Sequence, residues 1–94
     1  MKLAIVVGQV VATVRSKGWA RYPLMLVEYV DANGQPSGVT DVAADPIGAA
    51  NGEWVMVVSG SSARLAISEP GPVDLAIVGI VDEVTLQNKA IFSK

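Results

Sequence analysis

The first strand of this chain is apolar on both of its faces, and this limits the possible folds more than any other feature. Residues 2–15 favour one long strand rich in β-branched residues, interrupted by Gly8 and Gln9. An antiparallel strand with one solvated face should alternate apolar and polar residues. A parallel sheet between helices would explain two apolar faces, but no stretch of about ten or more residues favours a crossover helix. We therefore expect a closed barrel whose outer wall is partly covered by another subunit, with Gly8 at a bend or bulge.

Four further strands are expected, separated by turns that are rich in glycine, proline and asparagine. They span residues 24–30, 39–44, 53–59 and 73–81. Between the second and third strands lies a turn-rich loop with an Asn-Gly tip, and Asn51-Gly52 is typical of a hairpin turn before the fourth strand. The pattern predicts an all-β fold, a small five-stranded antiparallel OB-like β-barrel.

Two connections outside the strands carry residues of interest. Trp19, in the loop after the first strand, would be either a lid on one end of the barrel or an interface anchor. Residues 65–71 are expected to be a connection that contains a helical turn, whose first N–H groups Ser61 or Ser62 could cap.

The length of 94 residues predicts a single domain, because there is no room for a second core. Its core is expected to cover about residues 1–84, followed by a C-terminal tail of residues 85–94. Within that tail, Ile91 and Phe92 are expected to pack back on the barrel.

The composition favours assembly over nucleic-acid or membrane binding. The chain is 51% hydrophobic and only 17% charged, which is more apolar material than a small lone domain can bury and so indicates an oligomer. Seven Lys and Arg residues in a chain of net charge −2 form no basic patch for phosphate or anionic lipid. Gly8 and Gln9 interrupt the N-terminal apolar run, so a structural strand is favoured over a secretory signal, and the longest apolar run is too short to span a bilayer.

No residue set nominates catalysis, a metal or a cofactor. The chain has no cysteine and no histidine, which removes zinc fingers, iron–sulfur clusters, haem sites and Cys- or His-based nucleophiles. The adjacent carboxylates Asp82 and Glu83 point to opposite faces of a strand. We therefore expect a protein that is not an enzyme and that needs no cofactor.

The segment G-S-S-A-R allows several interpretations. Its members are the following: Gly60, Ser61, Ser62, Ala63 and Arg64. A serine nucleophile would need G-x-S-x-G and a histidine, and no lysine spacing supports a Ser–Lys dyad. The segment could be an anion-binding nest, a tight turn whose arginine pairs with a carboxylate, or a turn packed against its copy in a ring.

The segment G-A-A-N-G-E is the second candidate contact. It comprises Gly48, Ala49, Ala50, Asn51, Gly52 and Glu53. Six residues are too short for a phosphate-binding loop, and no G-K-[ST] follows. It is either a plain surface turn or a close-packed contact in which Glu53 makes a directional pair with a partner.

Three blocks of the sequence together resemble the EutN/CcmL family of bacterial microcompartment vertex proteins, which includes carboxysome components. The blocks are L-A-I-V-V-G-Q-V-V-A-T-V, V-A-A-D-P-I-G-A-A-N-G-E-W-V-M-V-V-S-G-S-S-A-R and P-V-D-L-A-I-V-G-I-V-D, in this order. The resemblance covers residues 2–84 and implies an OB-like barrel, in agreement with the pattern of strands. It departs from the family at Ala50, where a second glycine is usual, and at residues 21–24, where G-x-K-L is usual.

The resemblance further implies a homopentamer that closes the five-fold corners of a shell built mainly from hexameric proteins, in the bacterial cytoplasm. On this basis residues 48–53 would face the neighbouring hexamers, and residues 60–64 would lie at subunit contacts of the ring. The alternative is a monomeric OB-type module that binds single-stranded nucleic acid or a small ligand.

Overall fold

The computed structural model describes residues 1–12, 22–66 and 74–94 of the chain. In these ranges the elements are β1 (Lys2–Val10), β2 (Leu24–Val30), β3 (Pro36–Ala44), β4 (Trp54–Ser59), α1 (Gly60–Ala66), β5 (Leu75–Val81), β6 (Glu83–Leu86) and β7 (Lys89–Ser93). β1 ends at Val10 and residues 11–12 are not in a strand, so the expectation of a first strand that reaches residue 15 was wrong at these two positions. Residues 13–15, the loop that carries Trp19, residues 67–71 of the expected connection and the start of the fifth strand at residue 73 lie outside the described residues.

Five strands of the described chain close into a barrel in the order β1-β2-β3-β5-β4. The β1-β2, β2-β3, β4-β5 and β1-β4 pairs are antiparallel, whereas β3 meets β5 in parallel through Ala44 and Ala76. The expected five-stranded barrel is confirmed, and its one parallel junction is the place where it closes. Gly8 does mark an irregularity, because the β1-β2 register shifts between Val6 and Gly8 and leaves Val7 exposed.

The core lies inside the barrel and continues under α1. The largest fully buried side chains are Val6, Val27, Val55, Val57 and Ile77. A second cluster gathers small residues near the parallel junction, where Ala63 of α1 packs with Leu24, Ala44, Val58 and Ala76. Because alanine side chains are short, the helix backbone can lie directly on the end of the barrel.

The loop between β2 and β3 is shorter than expected, because Asp31 tightens it. Its Oδ1 accepts hydrogen bonds from the backbone N–H groups of Asn33 (2.8 Å) and Gln35 (3.0 Å), while Gly34 takes a φ of +80°. As a result β3 begins at Pro36, three residues before the expected start. Proline is tolerated at the first residue of a strand.

The C-terminal residues form a hairpin where only a tail was expected. Gln87 (φ 52°) and Asn88 (φ 65°) both lie in the left-handed region, as a two-residue type I′ turn requires, and they join β6 to β7. Phe92 stacks on Trp54 with ring centroids 4.5 Å apart, and Ile91 lies against Gly34. The expectation that Ile91 and Phe92 pack back is therefore confirmed.

The segment between β3 and β4 is a loop and not the hairpin that Asn51-Gly52 indicates, since β3 and β4 are not neighbours in the barrel. Asp45, only 3% exposed, organises this loop. Its Oδ1 accepts hydrogen bonds from the N–H groups of Ile47 (3.1 Å) and Gly48 (2.9 Å), and its Oδ2 from Ala49 (2.8 Å). One buried carboxylate thus satisfies three backbone donors directly after the barrel closes.

We expect Asp45→Ala to lower the free energy of unfolding by about 2–4 kcal/mol, because three backbone donors lose a charged acceptor in a buried setting. Asp45→Asn keeps one acceptor oxygen and should lose less. Denaturant unfolding at fixed protein concentration measures both.

The matched control is Asp31→Ala, because Asp31 also accepts two backbone hydrogen bonds but is exposed. If Asp45→Ala destabilises the protein no more than Asp31→Ala does, Asp45 does not have the structural role described here.

Candidate functional site

The exposed part of residues 48–53 is mainly backbone and small side chains. Gly48, Ala50, Asn51 and Gly52 are exposed, whereas Ala49 belongs to the core. Gly48 (φ +98°) and Gly52 (φ +87°) adopt conformations that favour glycine. Ala50 is not among the described residues with positive φ, so the alanine at this position fits without strain.

Glu53 closes this turn from within the chain. Its Oε1 accepts a hydrogen bond from the Ala50 N–H group at 2.8 Å, and its Oε2 accepts one from Lys94 Nζ at 2.8 Å. The Glu53 N–H group donates to the Ala50 carbonyl at 3.1 Å. Both carboxylate oxygens therefore have partners within the chain, whereas the sequence suggested a pair with another molecule.

Glu53 and Lys94 each stabilise the charged form of the other. The hydrogen bond from Lys94, followed by that from the Ala50 backbone, lowers the pKa of Glu53, and the hydrogen bond to Glu53 raises the pKa of Lys94. Lys94 also lies 3.8 Å from Asp82 Oδ1. The C-terminal hairpin therefore holds the loop at two points, by this ion pair and by the stacking of Phe92 on Trp54.

Residues 60–64 are helical, so the interpretation as a tight turn was wrong. The helix α1 starts directly after β4, with Gly60 at φ +63° and its N–H group bonded to the Asp74 carbonyl at 2.9 Å. The Gly60 N–H group, which an anion nest at this turn would use, is therefore already bonded within the chain. The sequence pattern was obscured because glycine and serine are weak helix formers, and packing of Ala63 compensates.

The exposure of α1 separates its residues into two groups. Ala63 is fully buried and supports the helix, whereas Gly60, Ser61, Ser62 and Arg64 are exposed. Arg64 makes no ion pair within the described residues, so the interpretation in which it pairs with a carboxylate of the same chain finds no support there. Leu65, which the sequence argument overlooked, is 86% exposed.

A groove next to β3 was also missed from sequence. Tyr29 donates its hydroxyl hydrogen bond to Asp41 Oδ2 at 2.9 Å, and Lys2 Nζ lies 5.1 Å from the centre of the Tyr29 ring. Burial, and then the hydrogen bond and charge of Asp41, raise the pKa of Tyr29 to about 12. The phenol is therefore neutral at physiological pH and acts as a fixed hydrogen-bond donor.

The two predicted contact regions lie at opposite ends of β4. Six strand residues separate residues 48–53 from α1, a distance of about 20 Å for an extended strand. Among the described residues, no group of His, Cys, Asp and Glu could hold a metal ion. The helix within the described ranges is also too short to cross a bilayer.

Known proteins that match this chain include shell vertex proteins. Residues 1–82 match the family described as "Ethanolamine utilisation protein EutN/carboxysome". The chain is 57% identical over 95 residues to the bacterial microcompartment shell vertex protein EutN of Salmonella typhimurium, covering all of this chain and 96% of that protein. That name describes a structural protein, in agreement with the expectation that the chain is not an enzyme.

Solved structures agree with the sequence match. The structure of CcmL from Gloeobacter violaceus superposes with a TM-score of 0.95 at 35% identity, covering 100% of this chain and 98% of that one. The GrpN pentameric microcompartment shell protein from Rhodospirillum rubrum superposes with a TM-score of 0.83 at 40% identity, covering 94% of this chain and 100% of that one. The chain belongs to the EutN/CcmL family.

Proposed function

We propose that this chain forms a homopentameric ring that occupies the vertices of a bacterial microcompartment shell and closes it against hexameric shell proteins in the bacterial cytoplasm. The observation that carries this proposal is the match of the entire chain to a shell vertex protein at 57% identity. The role is geometric, because a five-fold unit introduces the curvature that a flat hexamer sheet lacks. The relatives give no support to a monomeric nucleic-acid-binding or ligand-binding module.

Assembly into a ring gives the apolar outer residues a partner. Val7, Val39, Val42 and Leu65 are exposed although they are large and apolar. Contacts in a cyclic ring are head-to-tail, so each subunit must offer two different surfaces. The pentameric state of GrpN, named in the description of that structure, supports five copies.

The turn of residues 48–53 is proposed to face the hexamers. Its exposed surface consists of glycine backbone, Ala50 and Asn51, so no large side chain prevents a close approach. Asp45 and Glu53 hold it from inside, so little conformational entropy is lost on contact. Residues 60–64 are proposed to contribute their exposed members, Gly60, Ser61, Ser62 and Arg64, to subunit contacts of the ring.

Native mass spectrometry should give a particle of five times the 9.8 kDa chain mass. The apolar outer surface makes the ring more stable than free subunits, so the mass should persist on dilution to low micromolar concentration. A stable monomer under these conditions would rule out the ring.

Asn51→Trp should leave the ring intact and reduce co-assembly with hexameric shell proteins, because a bulky side chain would separate the two surfaces. The matched control is Asn33→Trp at the tip of the β2-β3 loop, which is also exposed. Electron microscopy of shells from co-expression, counting closed against open particles, measures the effect. Equal closure by both variants would exclude the turn as the hexamer contact.

Lys94→Ala should speed amide hydrogen exchange at Ala50 and Gly52, because Glu53 loses the ion pair that holds it against the turn. Since the pair lowers the pKa of Glu53 and raises that of Lys94, its protection should be present at neutral pH. It should be lost as the pH falls below the ordinary range of glutamate, about 4.3, or rises above that of lysine, about 10.4. Lys89→Ala on the same hairpin is the control, and equal exchange rates in the two variants at pH 7 would contradict the clamp.

A further inference from the structure

The outer face of α1 has no partner within the described chain. Leu65 is 86% exposed, and the neighbouring Arg64 is exposed without an ion pair in the described ranges. A large apolar side chain next to a free guanidinium is typical of a surface that another molecule covers. The buried Ala63 side chain fixes the helix on the barrel, so the outer face of the helix has a defined position.

The groove beside β3 offers the complementary chemistry. Two adjoining cavities of about 460 Å³ and 270 Å³ share Lys2 and Tyr29. The first has an apolar wall that includes Leu3 and Val39, and the second is lined by Asp41 and Asp74. The apolar part of the groove is thus complementary to Leu65, and its acidic part is complementary to Arg64.

Within one chain this match is unused. Asp74 is exposed and makes no side-chain ion pair in the described residues, although its carbonyl accepts the N–H group of Gly60 at the start of α1. Asp41 is held within the chain at both oxygens, because Oδ2 accepts the Tyr29 hydroxyl at 2.9 Å and Oδ1 accepts the Val42 N–H group at 2.9 Å. Asp74 is therefore the carboxylate of the groove that is open to a partner. A head-to-tail contact requires two complementary surfaces on each subunit, and the helix and the groove adjoin where Gly60 meets Asp74.

We propose that α1 of one copy docks into the Tyr29 groove of the next copy, with Arg64 pairing with Asp74 and Leu65 covering the apolar wall at Val39. This inference rests on the proposed pentamer and names the residues of its subunit contact. In a closed ring every subunit both donates a helix and accepts one, so no arginine or groove is left unfilled. Tyr29 acts as a positioning residue, because it orients Asp41 in the groove.

Charge reversal tests the pair directly. Arg64→Glu and Asp74→Arg, each alone, place like charges in contact and should raise the concentration needed for half-assembly by at least about tenfold. The double variant Arg64→Glu/Asp74→Arg restores opposite charges and should recover assembly close to that of the original chain. Native mass spectrometry over a dilution series measures all three, and circular dichroism confirms that the strands persist.

Two controls separate this pairing from general effects. Lys89→Glu reverses an exposed charge on the C-terminal hairpin and should leave assembly unchanged. Leu65→Ser should weaken the ring, whereas Leu86→Ser, at another exposed leucine, should not.

The possible outcomes separate this inference from the proposed function. Recovery in the double variant supports the pairing, because misfolding of the single variants could not produce it. The pairing would be overturned if Arg64→Glu assembled normally. It would also be overturned if the single variants lost assembly and the double variant did not recover it. Neither result would contradict the pentamer itself. If the unaltered chain gives no five-fold mass, the proposed function itself fails.

Discussion

The parallel closure of the barrel between Ala44 and Ala76 is the constraint on which the other features depend. β3 and β5 meet through this one pair, and the packing around it requires small side chains. Ala63 of α1 covers the junction, and Asp45 follows it immediately in the chain. A larger residue at Ala44 or Ala76 would separate the strands, displace the helix and shift the start of the loop. Both proposed contact surfaces are therefore positioned by the same cluster.

The two proposed contact surfaces, the loop of residues 48–53 and the helix α1, are held in place by different interactions. The loop of residues 48–53 is held by polar contacts: Asp45 from the barrel side and Glu53 with Lys94 from the C-terminal hairpin. The helix α1 is held by apolar burial and leaves a charged and apolar face outward. Rigid surfaces at opposite ends of β4 suit a protein whose proposed work is to fix an angle between neighbours rather than to change shape.

The sequence predicts the barrel well because its strands are long, β-branched and separated by clear turns. It fails where distant residues decide the outcome. Asn51-Gly52 is typical of a hairpin, but whether β3 and β4 pair depends on the closure with β5. The role of Glu53 depends on Lys94, 41 residues away. Gln87 and Asn88 form a type I′ turn without the glycine that is usual there. The helix α1 includes Gly60, Ser61 and Ser62, whose helix propensity is low, because Ala63 packs on the barrel.

The most direct test is an electron cryomicroscopy map of shells assembled from this chain and hexameric shell proteins. We expect five copies of the barrel around each vertex, with residues 48–53 of every copy against a hexamer edge and the hairpin of β6 and β7 behind that turn. Vertices without this chain, or a ring whose 48–53 turns point away from the hexamers, would contradict this expectation.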